Sequence, residues 1–399
     1  MRVFDRTILR TLLVLAAAQI IGWGTVGLPA IVGQEVAAGL KLNIATVFAG
    51  TSVLYIAMGL WAPILGGAFL RFGARRVMVA GSILAAPGFA LLALSQGPAS
   101  YFAGWLVLGT AGSATLTTAA YIALNDAGSA QATRSAVGAL MLMTGLSSSL
   151  FWPVTAWLDS ALGWRGVCWT YAALALFVCA PLYGFGLPRS RRRDAGAEPS
   201  APPARPLARD GTFHLVAAAI ALNGFVTYGF SAIFVDLLKS LGLSTPEAVA
   251  AGSMLGVLQV ATRGVDLLAA GRWDALRTAL AAGLLLPASM AILAVGGGAW
   301  LSVAAFLLFY GLASGALAVA RATMPLVFYD KAAYAQAVSR IALPLNLAAA
   351  LSPPLLAGLL GDFGFEAVLA VGIACSGLAA LVLLRLHRRR EAAIAVASP

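Results

Sequence analysis

Charged side chains are scarce in this chain, where Asp, Glu, Lys and Arg make up 10% of the 399 residues. A soluble globular domain carries about 25%, so the composition excludes a soluble fold. Hydrophobic residues make up 61% of the chain. They form runs of about 20 residues, the length of a helix that crosses a bilayer. We therefore predict a polytopic membrane protein of the all-α class.

Cysteine and histidine are also rare. Cys168, Cys179 and Cys375 lie within apolar runs, without the spacing of metal ligands or of a disulfide framework. His214 and His387 are far apart, and the chain contains no nucleotide-binding P-loop pattern. The sequence thus predicts no metal, no cofactor and no ATP hydrolysis. Because no His/Asp/Glu constellation falls within an apolar run, we also predict that the protein is not an enzyme.

The net charge of +11 does not indicate a nucleic-acid partner, because the basic residues are distributed by side. Alternate connections between the apolar runs hold most of them, including Arg6, Arg71 and Arg134, whereas the opposite set holds Lys41, Arg165 and Lys239. Cytoplasmic loops of membrane proteins carry this excess. We predict a monomeric protein of the bacterial inner membrane, embedded in the lipid bilayer with both termini in the cytoplasm.

Twelve spans are predicted in two groups of six. In the first group they are residues 8–32, 44–69, 77–95, 100–122, 135–158 and 165–187, and in the second 212–235, 248–270, 276–296, 300–326, 337–360 and 366–386. Residues 188–211 between them are charged and rich in proline, which is typical of a linker. The predicted domains are therefore an N-terminal bundle, 1–187, a cytoplasmic linker, 188–211, and a C-terminal bundle with a short tail, 212–399.

Four short motifs accompany this layout. They are GWGT at 22–25 in the first span, FWPVTAWL at 151–158 in the fifth, QVATR at 259–263 in the eighth and RATMPL at 321–326 in the tenth. With the layout, they resemble the major facilitator superfamily and, within it, the monocarboxylate and oxalate/formate branch. The resemblance implies two pseudo-symmetric six-helix halves, and a carrier that alternates access to a site near the membrane midplane.

The connection after the second span departs from the superfamily's signature. It retains the basic residues Arg71, Arg75 and Arg76, but Leu70 stands where relatives usually have an acid. The resemblance implies that this segment acts as a cytoplasmic gate or latch. The missing carboxylate suggests that another acid serves the latch, and Asp274 and Asp330 are the candidates.

Two arginines within apolar runs are the strongest functional signal. Arg263 lies in the eighth span, with Gln259 and Asp266 on the same helical face, and Arg321 lies in the tenth. A guanidinium stays charged at accessible pH, and its burial in lipid is costly. We predict that Arg263 and Arg321 bind an anionic substrate, although Arg263 and Asp266 can instead form a structural ion pair and Arg321 a helix-end anchor or gate.

Polar and aromatic residues on other spans complete the predicted site. Trp23, Tyr121, Gln259 and Asn223 are predicted to shape the rest of the substrate site, and the two aromatic rings can lie against an apolar part of the substrate. Protonation of Asp266 would release the guanidinium of Arg263 for an anion, which is one route to proton coupling. Each polar stripe has an alternative role, because Ser and Thr in membrane helices often bond their own backbone.

Three functions remain open from the sequence. The first is secondary transport of a small organic anion, a monocarboxylate above all, coupled to protons or to a counter-anion. The second is efflux of a toxic compound, such as an arsenical, another metalloid or a drug. The third is a membrane sensor that has a transporter fold and moves nothing. Charge at Arg263 and Arg321 favours the first.

Overall fold

The computed structural model describes residues 5–188, 211–268 and 274–397, and every regular element in these ranges is helical. The side chains of Trp152 and Asp266, and those beyond Glu391, lie outside what it describes. Residues 1–4, 189–210, 269–273 and 398–399 are likewise outside it, as is most of the predicted linker. The predicted all-helical membrane fold is confirmed.

Fifteen α-helices are present in the described ranges. They are α1 (Arg6–Val26), α2 (Leu28–Leu40), α3 (Ile44–Phe72), α4 (Ala74–Ala93), α5 (Pro98–Thr115), α6 (Thr117–Ala127), α7 (Ala130–Thr144), α8 (Ser147–Ala173), α9 (Ala180–Gly186), α10 (Gly211–Ser240), α11 (Thr245–Leu268), α12 (Ala275–Gly296), α13 (Trp300–Thr323), α14 (Pro325–Phe328) and α15 (Lys331–Ala397). A π-helical turn, Leu174–Cys179, joins α8 to α9.

Within the described residues, ten helical segments are long and apolar enough to cross a membrane, and the longest of them, Ala333–Glu391, contains two of the predicted passes. Two of the continuous helices contain a sharp turn at a glycine, Gly163 with φ 67° in α8 and Gly364 with φ 78° in α15. Positive φ favours glycine, so each turn ends one pass and begins the next. Conversely, the first pass consists of α1 and α2, which meet at Gly27, and the fourth of α5 and α6.

Residues 1–203 and 329–350 form the first of two compact units. Small residues let its helices approach closely: a Cβ on Gly109 of α5 would be 2.5 Å from the Leu54 carbonyl oxygen of α3. The start of α15 packs on α3 in the same way, where a Cβ on Gly66 would be 3.0 Å from Cβ of Ser339. Close backbone approach maximises van der Waals contact, which drives helix association in lipid.

The second unit comprises residues 204–328 and 351–399. Its core between α10 and α13 is aromatic: the rings of Phe234 and Phe306 are stacked at 6.1 Å, and Phe306 and Tyr310 are 5.2 Å apart. On the other side of α13, a Cβ on Gly315 would be 2.8 Å from the Gln259 carbonyl oxygen of α11. These contacts fix α13 between α10 and α11. The division of the chain into 1–187, 188–211 and 212–399 stays a prediction.

Candidate functional site

Arg321 has its guanidinium against the middle of α10. Its Nη1 donates a 2.7 Å hydrogen bond to Oγ1 of Thr227, and its Cζ is 5.1 Å from the ring centroid of Tyr228. Thr227 is the seventeenth of the 30 residues of α10, so about 24 Å of helix precede it and about 20 Å follow. Arg321 itself lies in the last turn of α13, so a role as helix-end anchor or gate stays an alternative to substrate binding.

Thr227 is held in place for this contact. Its hydroxyl donates to the carbonyl oxygen of Asn223, 2.8 Å away, one turn earlier on α10. That bond directs a lone pair of Oγ1 toward Arg321, because the hydroxyl hydrogen is already used. Thr227 is 6% exposed and Arg321 is half-buried. The pair is thus partly shielded from solvent.

Asn223 brings a second polar group to the same face of α10. It is 2% exposed, and its Oδ1 accepts no hydrogen bond from the described residues. An unsatisfied buried amide costs free energy, which a ligand can recover. Because the oxygen and nitrogen of an amide are assigned rather than observed, either can face a ligand.

Gln259 and Arg263 lie on α11, which packs on α13. The Gln259 Nε2 donates a 3.0 Å hydrogen bond to Oγ of Ser314. Arg263, one turn further along, is half-buried. The predicted ion pair between Arg263 and Asp266 stays untested, because the Asp266 side chain lies outside the described part of the chain. The structure thus brings Asn223 close to Arg321 through Thr227, and ties Gln259 to α13.

Trp23 and Tyr121 lie in the first unit. The Trp23 indole donates a 3.1 Å hydrogen bond from Nε1 to Oγ1 of Thr117, the first residue of α6, and its ring centroid is 6.4 Å from that of Tyr55. Tyr121 follows Thr117 by one turn and is 8% exposed. Trp23 therefore contacts α6 one turn before Tyr121, and the contact of either ring with a substrate stays a prediction.

The fourth pass is interrupted at Leu116, whose extended backbone (φ −84°, ψ −155°) separates α5 from α6. The Thr115 carbonyl oxygen accepts a 2.6 Å hydrogen bond from Nε2 of Gln19 and a 3.4 Å bond from the Tyr183 hydroxyl. Broken helices are tolerated in membranes only when such groups are satisfied. The sequence gives a weak signal of this break, since Thr115, Thr117 and Thr118 form a β-branched cluster with low helix propensity.

The basic residues of the predicted latch lie where α3 turns into α4. Gly73 makes this turn at φ 78°. Arg71 and Arg76 are exposed and Arg75 is half-buried, and the Arg71 Cζ is 5.2 Å from the Phe72 ring centroid. Of the two acidic candidates, Asp274 forms a salt bridge with Arg390 and caps α12, and Asp330 accepts a 2.7 Å bond from the Ala333 amide. The latch stays a prediction.

The sequence profile described as the Major Facilitator Superfamily matches residues 12–310, and the chain belongs to that superfamily. It is therefore a multi-pass membrane protein of a transporter family, not an enzyme family. No curated protein shows significant sequence similarity to it. The monocarboxylate branch within the superfamily stays a prediction.

Solved structures show the same fold. The human organic anion transporter MFSD10 (TETRAN) is similar, with a TM-score of 0.72 at 16% identity over 95% of this chain and 99% of that one. FucP, a transporter of the superfamily solved in the outward conformation, gives 0.71 at 13% identity over 96% of this chain and 99% of its own. A single-substitution variant of the E. coli fucose:proton symporter FucP gives a TM-score of 0.71 at 13% identity, over 96% of this chain and 99% of that one. At such identities the likeness concerns the fold alone.

Proposed function

We propose that the protein is a secondary active transporter that binds a small organic anion, in particular a monocarboxylate, through Arg321. One observation carries this proposal. The guanidinium of Arg321 lies at mid-height of α10 against two neutral groups, the Thr227 hydroxyl and the Tyr228 ring. Among the side chains that the structure describes, no carboxylate forms a salt bridge with it.

The chemistry of arginine gives the substrate class. A guanidinium cannot lose its charge, and its fork of donors matches the two oxygens of a carboxylate. One of its nitrogens is bound to Thr227, which leaves the other donors for an anion. The buried amide of Asn223 is a further polar contact on the same face. A cationic drug would meet a fixed positive charge here, and is disfavoured.

The other predicted residues take roles around this clamp. Arg263 is proposed as a second anion contact, and Trp23 and Tyr121 as contacts for the apolar part of the substrate. Asp266 is proposed to carry the coupling proton, with exchange against a counter-anion as the alternative mode. If Asp266 carries the proton, Asp266→Asn will retain anion exchange and lose proton-driven net flux. If it is a structural partner of Arg263, both modes will fall together.

The test uses the purified full-length protein in proteoliposomes with radiolabelled acetate, lactate and pyruvate as probes. Arg321→Lys keeps the charge but removes the planar fork. Hydrogen bonds to charged groups contribute about 1.5–3 kcal/mol, so we expect binding of the best probe to weaken by about 10-fold to 100-fold. Thermal-shift titration measures this affinity, because a ligand that binds only the folded state raises its stability.

Arg277→Lys is the matched control, since Arg277 is an exposed arginine near the start of α12. It should leave affinity and uptake unchanged. Choline, a cation of similar size, should give no thermal shift with the unaltered protein. Unchanged anion affinity in Arg321→Lys, or stabilisation by choline and not by carboxylates, would reject the anion clamp while leaving the transporter fold in place.

A further inference from the structure

A groove on the first unit lies beside the start of α1 and the end of α9, the ends that the charge pattern predicts to be cytoplasmic. It has a volume of about 480 Å³, within the range of roughly 300–1,000 Å³ typical of ligand pockets. Its walls are apolar, formed by Phe177, Val178, Leu182 and Phe185, and Arg10 of α1 lies at one end. We call these residues the α1–α9 groove. None of them belongs to the proposed substrate site.

The apolar wall is exposed on a membrane-spanning segment. Phe177 is 72% and Phe185 is 79% exposed, and such surface within a membrane contacts acyl chains. The π-helical turn shapes this wall: the Ala180 amide donates to the Ala175 carbonyl oxygen, five residues back. Pro181 follows at once and has no amide hydrogen to donate to Phe177, which explains why the regular pattern stops here. Such π-bulges are frequent at functional sites.

Arg10 is held at the end of the groove by a backbone contact. Its Nη2 donates a 2.5 Å hydrogen bond to the carbonyl oxygen of Phe185, one of the last carbonyls of α9, which lack helical partners. Gly186 permits this approach, because a Cβ there would be 2.5 Å from the Val14 side chain of α1. The guanidinium is therefore oriented in advance, while Arg10 itself is exposed. Its remaining donors are available to a phosphate, which an arginine fork binds in bidentate fashion.

We propose that the α1–α9 groove binds an anionic phospholipid, with the phosphate on Arg10 and one acyl chain along Phe177, Leu182 and Phe185. The charge at one end and the apolar wall beside it match the two parts of a lipid. Basic pockets between helices on the cytoplasmic side of membrane proteins bind such headgroups. Arg6 is one turn before Arg10 and is also exposed, but it does not line the groove.

The test is photo-crosslinking of the full-length protein in nanodiscs. Phosphatidylglycerol or phosphatidylcholine with a diazirine on one acyl chain is added as a trace lipid, and the labelled peptides are identified by mass spectrometry. We expect phosphatidylglycerol to label residues 177–186 about fivefold more than phosphatidylcholine, the preference that one cation near a membrane surface contributes. Arg10→Gln should abolish this preference, and Arg6→Gln, the matched control, should retain it.

A second variant covers the case in which Arg10→Gln does not fold. Val178→Trp fills the groove and leaves Arg10 in place, so it should remove label from residues 177–186 for both lipids. Equal labelling by the two lipids in the unaltered protein would overturn the proposal. Loss of the preference in Arg6→Gln as well would also overturn it. Full competition by soluble glycerol phosphate would overturn it too, because the groove would then be a site for free anions. Unchanged labelling in Val178→Trp would be a further contradiction.

Discussion

The Arg321 guanidinium and the Thr227 hydroxyl, 2.7 Å apart, join α13 to the midpoint of α10. The contact joins a fixed charge to a neutral acceptor whose own hydrogen is donated to the carbonyl oxygen of Asn223. A hydroxyl stabilises a guanidinium less than a carboxylate does, because it carries no charge. The arrangement therefore orients Arg321 without neutralising it, which is what reversible binding of an anion requires.

We predict that Thr227→Val destabilises the ligand-free protein. Valine has nearly the same shape but offers no acceptor, so a partly buried guanidinium loses a bond contributing about 1.5–3 kcal/mol. The melting temperature should fall, and saturating carboxylate should recover part of the loss by supplying a new acceptor. The control is Thr323→Val on α13, whose hydroxyl donates to the Val319 carbonyl oxygen of its own helix. Equal destabilisation by both variants, with no recovery in carboxylate, would contradict the prediction.

The contact between α3 and the start of α15 is predicted to depend on Gly66. A Cβ there would be 3.0 Å from Cβ of Ser339, whereas one on the adjacent Gly67 would have no atom within 4 Å. Gly66→Val should therefore overpack the contact and lower the free energy of unfolding by about 1–3 kcal/mol. Gly67→Val, the matched control, should have little effect. Reversible unfolding in mixed micelles measures both, and a larger loss for Gly67→Val would refute the packing argument.

The positions of most passes could be predicted from the sequence, because each is a run of apolar residues bounded by charge. Gly163 and Gly364, where the structure turns sharply, lie in the gaps between predicted spans. The break at Leu116 was harder to predict, because neither glycine nor proline marks it and a cluster of threonines is only a weak signal. It depends on Gln19 and Tyr183, which are 96 and 68 residues from Thr115.

The sequence identifies the individual residues of the candidate site, but not the hydrogen bonds that connect them. The sequence identifies Arg321 and Asn223 by their polarity within apolar runs. It does not show that Thr227 lies between them, because that depends on how α13 packs on α10. Gly311 and Gly315 did offer an unused signal. Their spacing is that of the GxxxG motif, which predicts a close helix neighbour, and α11 occupies that position.

The interruption of the fourth pass leads to a prediction about Gln19. Gln19→Leu removes the 2.6 Å donor to the Thr115 carbonyl oxygen and leaves that oxygen poorly satisfied, which costs about 1–3 kcal/mol. Tyr183→Phe removes two longer bonds, the 3.4 Å bond to the Thr115 carbonyl oxygen and the 3.4 Å bond from Nε2 of Gln19, and should cost less. The measurement is again reversible unfolding. Thr110→Val is the control, because its hydroxyl donates to the Leu106 carbonyl oxygen of its own helix. If Tyr183→Phe destabilises the protein more than Gln19→Leu does, the assignment of the main donor is wrong.

The bond between Gln259 and Ser314 predicts energetic coupling between α11 and α13. Interhelical hydrogen bonds in membranes contribute about 0.6 kcal/mol on average, and up to about 1.7. A double-mutant cycle with Gln259→Leu and Ser314→Ala should show coupling in this range, measured from unfolding free energies. Ser302→Ala supplies the control cycle, because Ser302 bonds the Ile292 carbonyl oxygen and is about 18 Å along α13 from Ser314. Distant sites are additive, so coupling of Gln259 to Ser302 as strong as to Ser314 would show that the effect is not carried by the 3.0 Å bond.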